Sequence, residues 1–207
     1  MRKRLSMALP WFFVVLVHPF SAWAQDYPKV ELFGAYSYTR MNGENWTGWY
    51  ATGAKNINHM LGITAEVGSF ANSQSQTLAP YTSTTDQHFY TFLAGPQLTS
   101  RDKGKLAPYV HLLLGVGHYY SNSGLLGPIP LQNTSGLYSF QSSSENHFAM
   151  FIGGGIEYKL KGPFALRGQM DYGGVRFGAS QLGGTSSWMK GWRFSAGLAL
   201  HLGSKTD

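Results

Sequence analysis

The chain has 207 residues, no cysteine, 26 glycines, 15% aromatic residues and only 13% charged ones. Without thiols it has no disulfide framework and no thiolate metal site, and glycine at well above its average share of roughly 7%, beside so many aromatics, favours strands and turns over helices. The formal charge is +6, but Arg2, Lys3 and Arg4 lie at the very start, and without those three cations it falls to +3, weak ground for nucleic-acid binding.

In chain order, residues 1–24 read as a cleaved secretory signal peptide. Arg2 to Arg4 form the basic region, Met7 to Val17 the short apolar core, and Ala22-Trp23-Ala24 the small-x-small cleavage pattern. No cysteine follows the cut, which excludes a lipoprotein. Residues 25–207 form one domain, and no later stretch approaches the 18 apolar residues of a membrane-spanning helix.

Eight alternating segments follow. The first, VELFGAYSY, sets Val30, Leu32, Tyr36 and Tyr38 against Glu31, Ala35 and Ser37. The second, WYATGAKNI, carries Tyr50, Thr52, Ala54 and Asn56 on its more polar face. LGITAEVGS sets Leu61, Ile63, Ala65 and Val67 against Thr64 and Glu66, and HFYTFLAGPQL sets Tyr90, Phe92, Ala94 and Leu98 against Thr91 and Gln97. PYVHLLLGVGH opposes Val110, Leu112, Leu114 and Val116 to His111 and Leu113. FAMFIGGGIEY opposes Phe148, Met150, Ile152 and Ile156 to Ala149, Gly153 and Glu157. FALRGQMDY and WRFSAGLALHL repeat the pattern, with Arg167, Asp171, Arg193 and His201 on the faces opposite Leu166, Met170, Trp192 and Leu198. Alternation with a period of two means strands.

Short links around Asn58, at SRDKGKLA and at KLKGP alternate with longer ones at Thr39–Gly48, Phe70–Gln87, Tyr120–His147 and Arg176–Gly191. This predicts an all-β, eight-stranded antiparallel up-and-down transmembrane β-barrel. Apolar side chains face lipid, and Gly, Ala, Ser and Thr with sparse charges face a small polar lumen. Tyr36, Tyr38, Trp49, Tyr119, Tyr120, Tyr172, Trp188 and Trp192 are placed in an outer aromatic girdle, and Tyr27, Tyr109, Tyr158 and Phe164 in an inner one.

The segments VELFGAYSY, FLAGPQL, FIGGGIEY, ALRGQMDY and WRFSAGLAL resemble the OmpA-like eight-stranded outer-membrane barrels of Gram-negative bacteria. The resemblance implies outer-membrane location and a structural, adhesive or ligand-binding role without shared catalytic residues. The partners it implies are outer-membrane lipids, the assembly machinery and a host or extracellular ligand at the loops, with the barrel a monomer. The alternatives are a lipid A-modifying enzyme and a small-solute channel.

The inward charges Glu31, Glu66, Glu157 and Asp171 face Arg167, Arg193, His111 and His201. Buried charges cost several kcal/mol each unless paired, so these eight are expected to form a lumen network, with Glu157 and Arg167 pairing across the KLKGP hairpin. Arg101, Lys103, Lys105, Lys159 and Lys161 are expected to be solvated at the inner turns, as are His59, His88 and His147 near strand ends. His118 and Ser121 suggest a nucleophile and base, but three residues apart on a strand they face opposite ways. Gly153-Gly154-Gly155 opens no helix and is no nucleotide loop. No catalytic residue, cofactor or metal site is expected.

Overall fold

The computed structural model describes residues 27–78, 81–101, 104–126, 141–177 and 187–203. The expected signal peptide lies outside them. Eight strands, β1 (Val30–Met41), β2 (Glu44–Asn56), β3 (Leu61–Leu78), β4 (Tyr81–Thr99), β5 (Leu106–Leu126), β6 (Gln141–Lys159), β7 (Phe164–Phe177) and β8 (Ser187–Leu202), pair in sequence order. The antiparallel β1–β8 pair closes the barrel, running from Val30↔Leu202 to Met41↔Gly191. Closure removes the free edges within the wall, the condition for a sheet to cross lipid.

The alternation of the sequence becomes inside and outside. Leu32, Ile63, Phe92, Val110, Ile152, Leu166 and Leu198 are exposed, each between 37% and 59%. The residues beside them in the chain, Glu31, Thr64, Thr91, His111, Phe151, Arg167 and Ala199, are buried. A continuous apolar exterior around a closed sheet has no stable solvent other than lipid, because water would meet an apolar surface far beyond that of a soluble monomer.

Two of the longer loops expected from sequence are instead paired strand. Thr39↔Trp46 and Met41↔Glu44 carry the β1–β2 ladder to a two-residue turn, Asn42-Gly43. There φ is 47° and 88°, the left-handed pair that Asn-Gly accepts at little cost. The β3–β4 ladder likewise runs through Asn72↔Gln87 to Leu78↔Tyr81. Ser, Thr and Gln read as loop residues, yet with a closed ladder to extend they pair readily as strand. The hairpins therefore project beyond the roughly 9–11 residues that cross a bilayer.

At the opposite end, where the described residues begin and end, links are short. Asn58 Oδ1 accepts the backbone N–H groups of Met60 and Leu61 at 2.9 and 2.7 Å, closing the β2–β3 turn. The β4–β5 ladder skips Gly95 and Pro96, since proline has no N–H to donate.

The lumen is less polar than expected. Phe33, Tyr50, Phe70, Phe89, Leu93, Leu113, Phe151 and Val175 are buried within it, together with Trp46. Their positions alternate correctly for an interior face. Large apolar residues on both faces blur the contrast from which an inner face is read.

Candidate functional site

The buried charges form two tiers. In the tier nearer the short links, Glu157 and Arg167 are direct register partners on β6 and β7. Arg167 Nε and Nη2 donate to Glu157 Oε2 at 3.0 and 2.6 Å, and Nη2 reaches Glu31 Oε2 at 2.9 Å. Arg101, just past β4, turns into the barrel and donates Nη2 to Glu31 Oε1 at 2.6 Å and to Asn56 Oδ1 at 2.7 Å. Asn56 Nδ2 donates to the same Glu31 oxygen at 2.9 Å. His201 Nε2 lies 2.9 Å from Glu157 Oε1 without the alignment of a hydrogen bond.

In the second tier the Arg193 guanidinium meets both Glu66 oxygens, and its Nε donates to Asp171 Oδ2 at 2.7 Å. Asp171 also accepts from Gln169 Nε2 at 2.8 Å and has His111 Nε2 at 2.9 Å from its other oxygen. Tyr109 donates its hydroxyl to Gln169 Oε1 at 2.6 Å.

Aromatic rings clamp both arginines. Arg193 lies over Tyr50 and Phe151 at 4.5 and 4.7 Å, and Arg167 over Phe33 and Tyr109 at 5.0 and 4.7 Å. Each guanidinium thus has carboxylates in its plane and rings on its faces, an arrangement its flat delocalised charge tolerates better than an ammonium would. Glu31, Glu157 and His201 bring three ligand atoms within 4.8 Å of one another. Arg101 and Arg167 already hold those carboxylates, so a cation would have to displace a guanidinium.

Glu31, Glu66, Glu157, Asp171, Arg167, Arg193, His111 and His201 are therefore all brought into the lumen, where Asn56, Gln169 and Tyr109 also belong. Several expectations need correcting. Arg101 is buried at 9% exposure instead of solvated, because its side chain folds back to Glu31. Tyr109 is 3% exposed inside the barrel, not in the inner girdle. Tyr119 faces inward, edge-on to Trp46 and Phe177, and leaves the outer girdle. His147 is 5% exposed and packs on Phe177 at 4.1 Å. Of the outer girdle, Tyr36, Tyr38, Trp49, Tyr172 and Trp192 are exposed, and Tyr120 and Trp188 half-buried.

His118 finds a serine on the neighbouring strand in place of Ser121. Its Nε2 lies 3.2 Å from Ser144 Oγ and its Nδ1 2.8 Å from Asn146 Oδ1. With Nδ1 protonated, Asn146 would hold the ring so that Nε2 accepts from the serine. The array sits on the outward face of the wall, where the β5–β6 ladder pairs the adjacent backbone. Among the described residues it has a base but no N–H groups converging on one point for an oxyanion.

No family model matches the chain, and no curated protein matches it. Among solved structures, Neisserial surface protein A is similar at 15% identity and a TM-score of 0.53, with 84% of this chain and 96% of that one covered. OprG of Pseudomonas aeruginosa has 12% identity and a TM-score of 0.49 over 86% and 97% of the two chains. Ail, the attachment invasion locus protein of Yersinia pestis, has 18% identity and a TM-score of 0.47 over 83% and 96%. The closed ladder, the lipid-facing exterior and the likeness to Neisserial surface protein A agree with the OmpA-like resemblance of the strands: by fold, the chain is an eight-stranded β-barrel of the outer-membrane kind.

Proposed function

We propose that the protein is a non-catalytic, non-conducting barrel that anchors its projecting hairpins at the cell surface for adhesion or ligand binding. The observation that carries this reading is the filled lumen. Two tiers of paired charge and a layer of Phe70, Phe89, Leu93, Leu113 and Phe151 occupy the bore, which in an eight-stranded barrel holds little more than side chains. Function then falls to the hairpin end, where β3–β4 and β5–β6 extend with Ser, Thr, Asn and Gln. The short links face the periplasm in this reading.

Planar-bilayer recording of the purified barrel tests it. Wild type should show no stable open state. A large, steady conductance would make the lumen a water-filled path and favour the channel alternative.

A further inference from the structure

At the hairpin end, Trp46, Tyr119 and Phe177 wall a cavity of about 330 Å³, and Asn42, Glu44 and Gln87 add polar groups to it. These residues come from β2, β4, β5, β7 and the Asn42-Gly43 turn, so the closed barrel itself assembles the cavity. Tyr119 stands edge-on to both other rings, with centroids 6.4 Å from Trp46 and 5.9 Å from Phe177. The volume is at the lower end of small-ligand sites, enough for one small molecule.

The lining restricts what that molecule can be. Among the described residues, no lysine, arginine or histidine lines the cavity, while Glu44 does. An anion would therefore meet repulsion without a counter-charge. The indole Nε1 of Trp46 and the Oε1 of Gln87 are buried without hydrogen-bond partners, and groups left so carry a desolvation penalty that a ligand can relieve. One is a donor and the other an acceptor. A cation could satisfy Glu44 and the ring faces but offers nothing to the Trp46 N–H. Hydroxyl groups serve as donor and acceptor together, and the C–H faces of a sugar ring suit aromatic walls.

We propose that this cavity binds a neutral saccharide unit, stacked among Trp46, Tyr119 and Phe177 and hydrogen-bonded by Glu44, Gln87 and the Trp46 indole. The assignment deepens the surface-binding reading above and rests on it for the source of the ligand.

The test uses the full-length barrel refolded in detergent, with calorimetric titration of glucose, galactose, N-acetylglucosamine, lactose, choline and glucose 6-sulfate. At least one neutral sugar should bind saturably, and Trp46→Phe, which keeps a ring and removes the N–H, should weaken it about tenfold. Glu44→Gln should weaken it as well, and the heat-dependent gel shift of both variants shows that they have folded. Choline or the sulfate ester binding in place of the neutral sugars would overturn the proposal. So would an absence of sugar binding up to tens of millimolar, or binding that neither substitution changes. Binding by the purified barrel with none on intact cells would uphold the cavity and reverse the orientation of the barrel.

Discussion

Arg167 and Glu31 lie 136 residues apart in sequence, on strands that are not neighbours, and their side chains meet across the lumen at 2.9 Å. Through that contact β1 is tied to the β6–β7 hairpin by something other than the sheet ladder. Removing the guanidinium strands the buried Glu157 and leaves Glu31, also buried, to Arg101 and Asn56.

Arg167→Ala should therefore lower stability by about 3–5 kcal/mol, the usual cost of breaking a buried pair from one side. Arg167→Lys should recover little, because an ammonium cannot serve both carboxylates in one plane or lie flat between Phe33 and Tyr109. Adding Glu157→Gln to Arg167→Ala should restore part of the loss. Urea unfolding in detergent, followed by the gel mobility of unboiled samples, measures all three. An Arg167→Ala barrel as stable as its parent would mean that water reaches these carboxylates.

The charge tiers were legible because strand parity is a strict rule. Once Leu166 and Met170 face lipid, Arg167 and Asp171 must face inward, and Glu157 falls opposite Arg167 across a short turn. Arg101 is illegible for the converse reason: it lies past the end of β4, where parity no longer directs a side chain, and Glu31, Asn56 and the His59 carbonyl draw it in. Tyr109 and Tyr119 follow parity but were assigned by their place near strand ends. The apolar layer was obscured because Phe33, Phe70, Phe89 and Phe151 look like lapses in an alternating pattern. The hairpin ladders are hidden by composition: in β3–β4 Ser, Thr and Gln read as loop, and in β1–β2 the pairing rests on the Asn42-Gly43 turn.

Two glycines on facing sides of the wall make a paired test. A methyl group at Gly153 would overlap Asp171 Oδ1 and the Met170 carbonyl, whereas one at Gly168 meets nothing within 4 Å. Gly153→Ala should push Asp171 away from Arg193 and lower the unfolding midpoint. Gly168→Ala, on the lipid side, should leave stability unchanged or raise it by about 0.5–1 kcal/mol through a less flexible unfolded chain. Equal effects at the two sites would show that the inner wall has slack the packing does not display.

Orientation can be read from two turns. A short peptide tag inserted between Asn42 and Gly43 sits at the hairpin end, and one inserted at Gly162 sits at the end of the short links. Both glycines have positive φ in exposed turns, where insertions are tolerated. Antibody should stain intact cells carrying the first tag and require permeabilised cells for the second. The reverse result would place the short links outside and the projecting hairpins in the periplasm.

The last prediction concerns Ser144 and His118, the pair closest to an enzymatic arrangement. Serine hydrolysis needs a hydroxyl, a base within reach, an orienting group and donors for the oxyanion, and the last of these is often the largest contribution. Ser144, His118 and Asn146 supply the first three at 3.2 and 2.8 Å. The β5–β6 ladder, from Gly117↔His147 to Tyr120↔Ser144, engages the N–H groups on one side of β6; the β6–β7 ladder starts only at Phe148↔Arg176, but along an extended strand the N–H groups on that side come from alternate residues and do not converge on one oxygen. Without that stabilisation the hydrogen bonds are a polar cross-strand ladder. A fluorophosphonate probe should leave the folded barrel unlabelled, and lipid A from cells with wild type or Ser144→Ala should have the same acyl composition. Labelling that disappears in both Ser144→Ala and His118→Ala, with fold retained, would show that lipid or a movement of the wall provides the missing donors. The lipid A-modifying alternative would then displace the non-catalytic one.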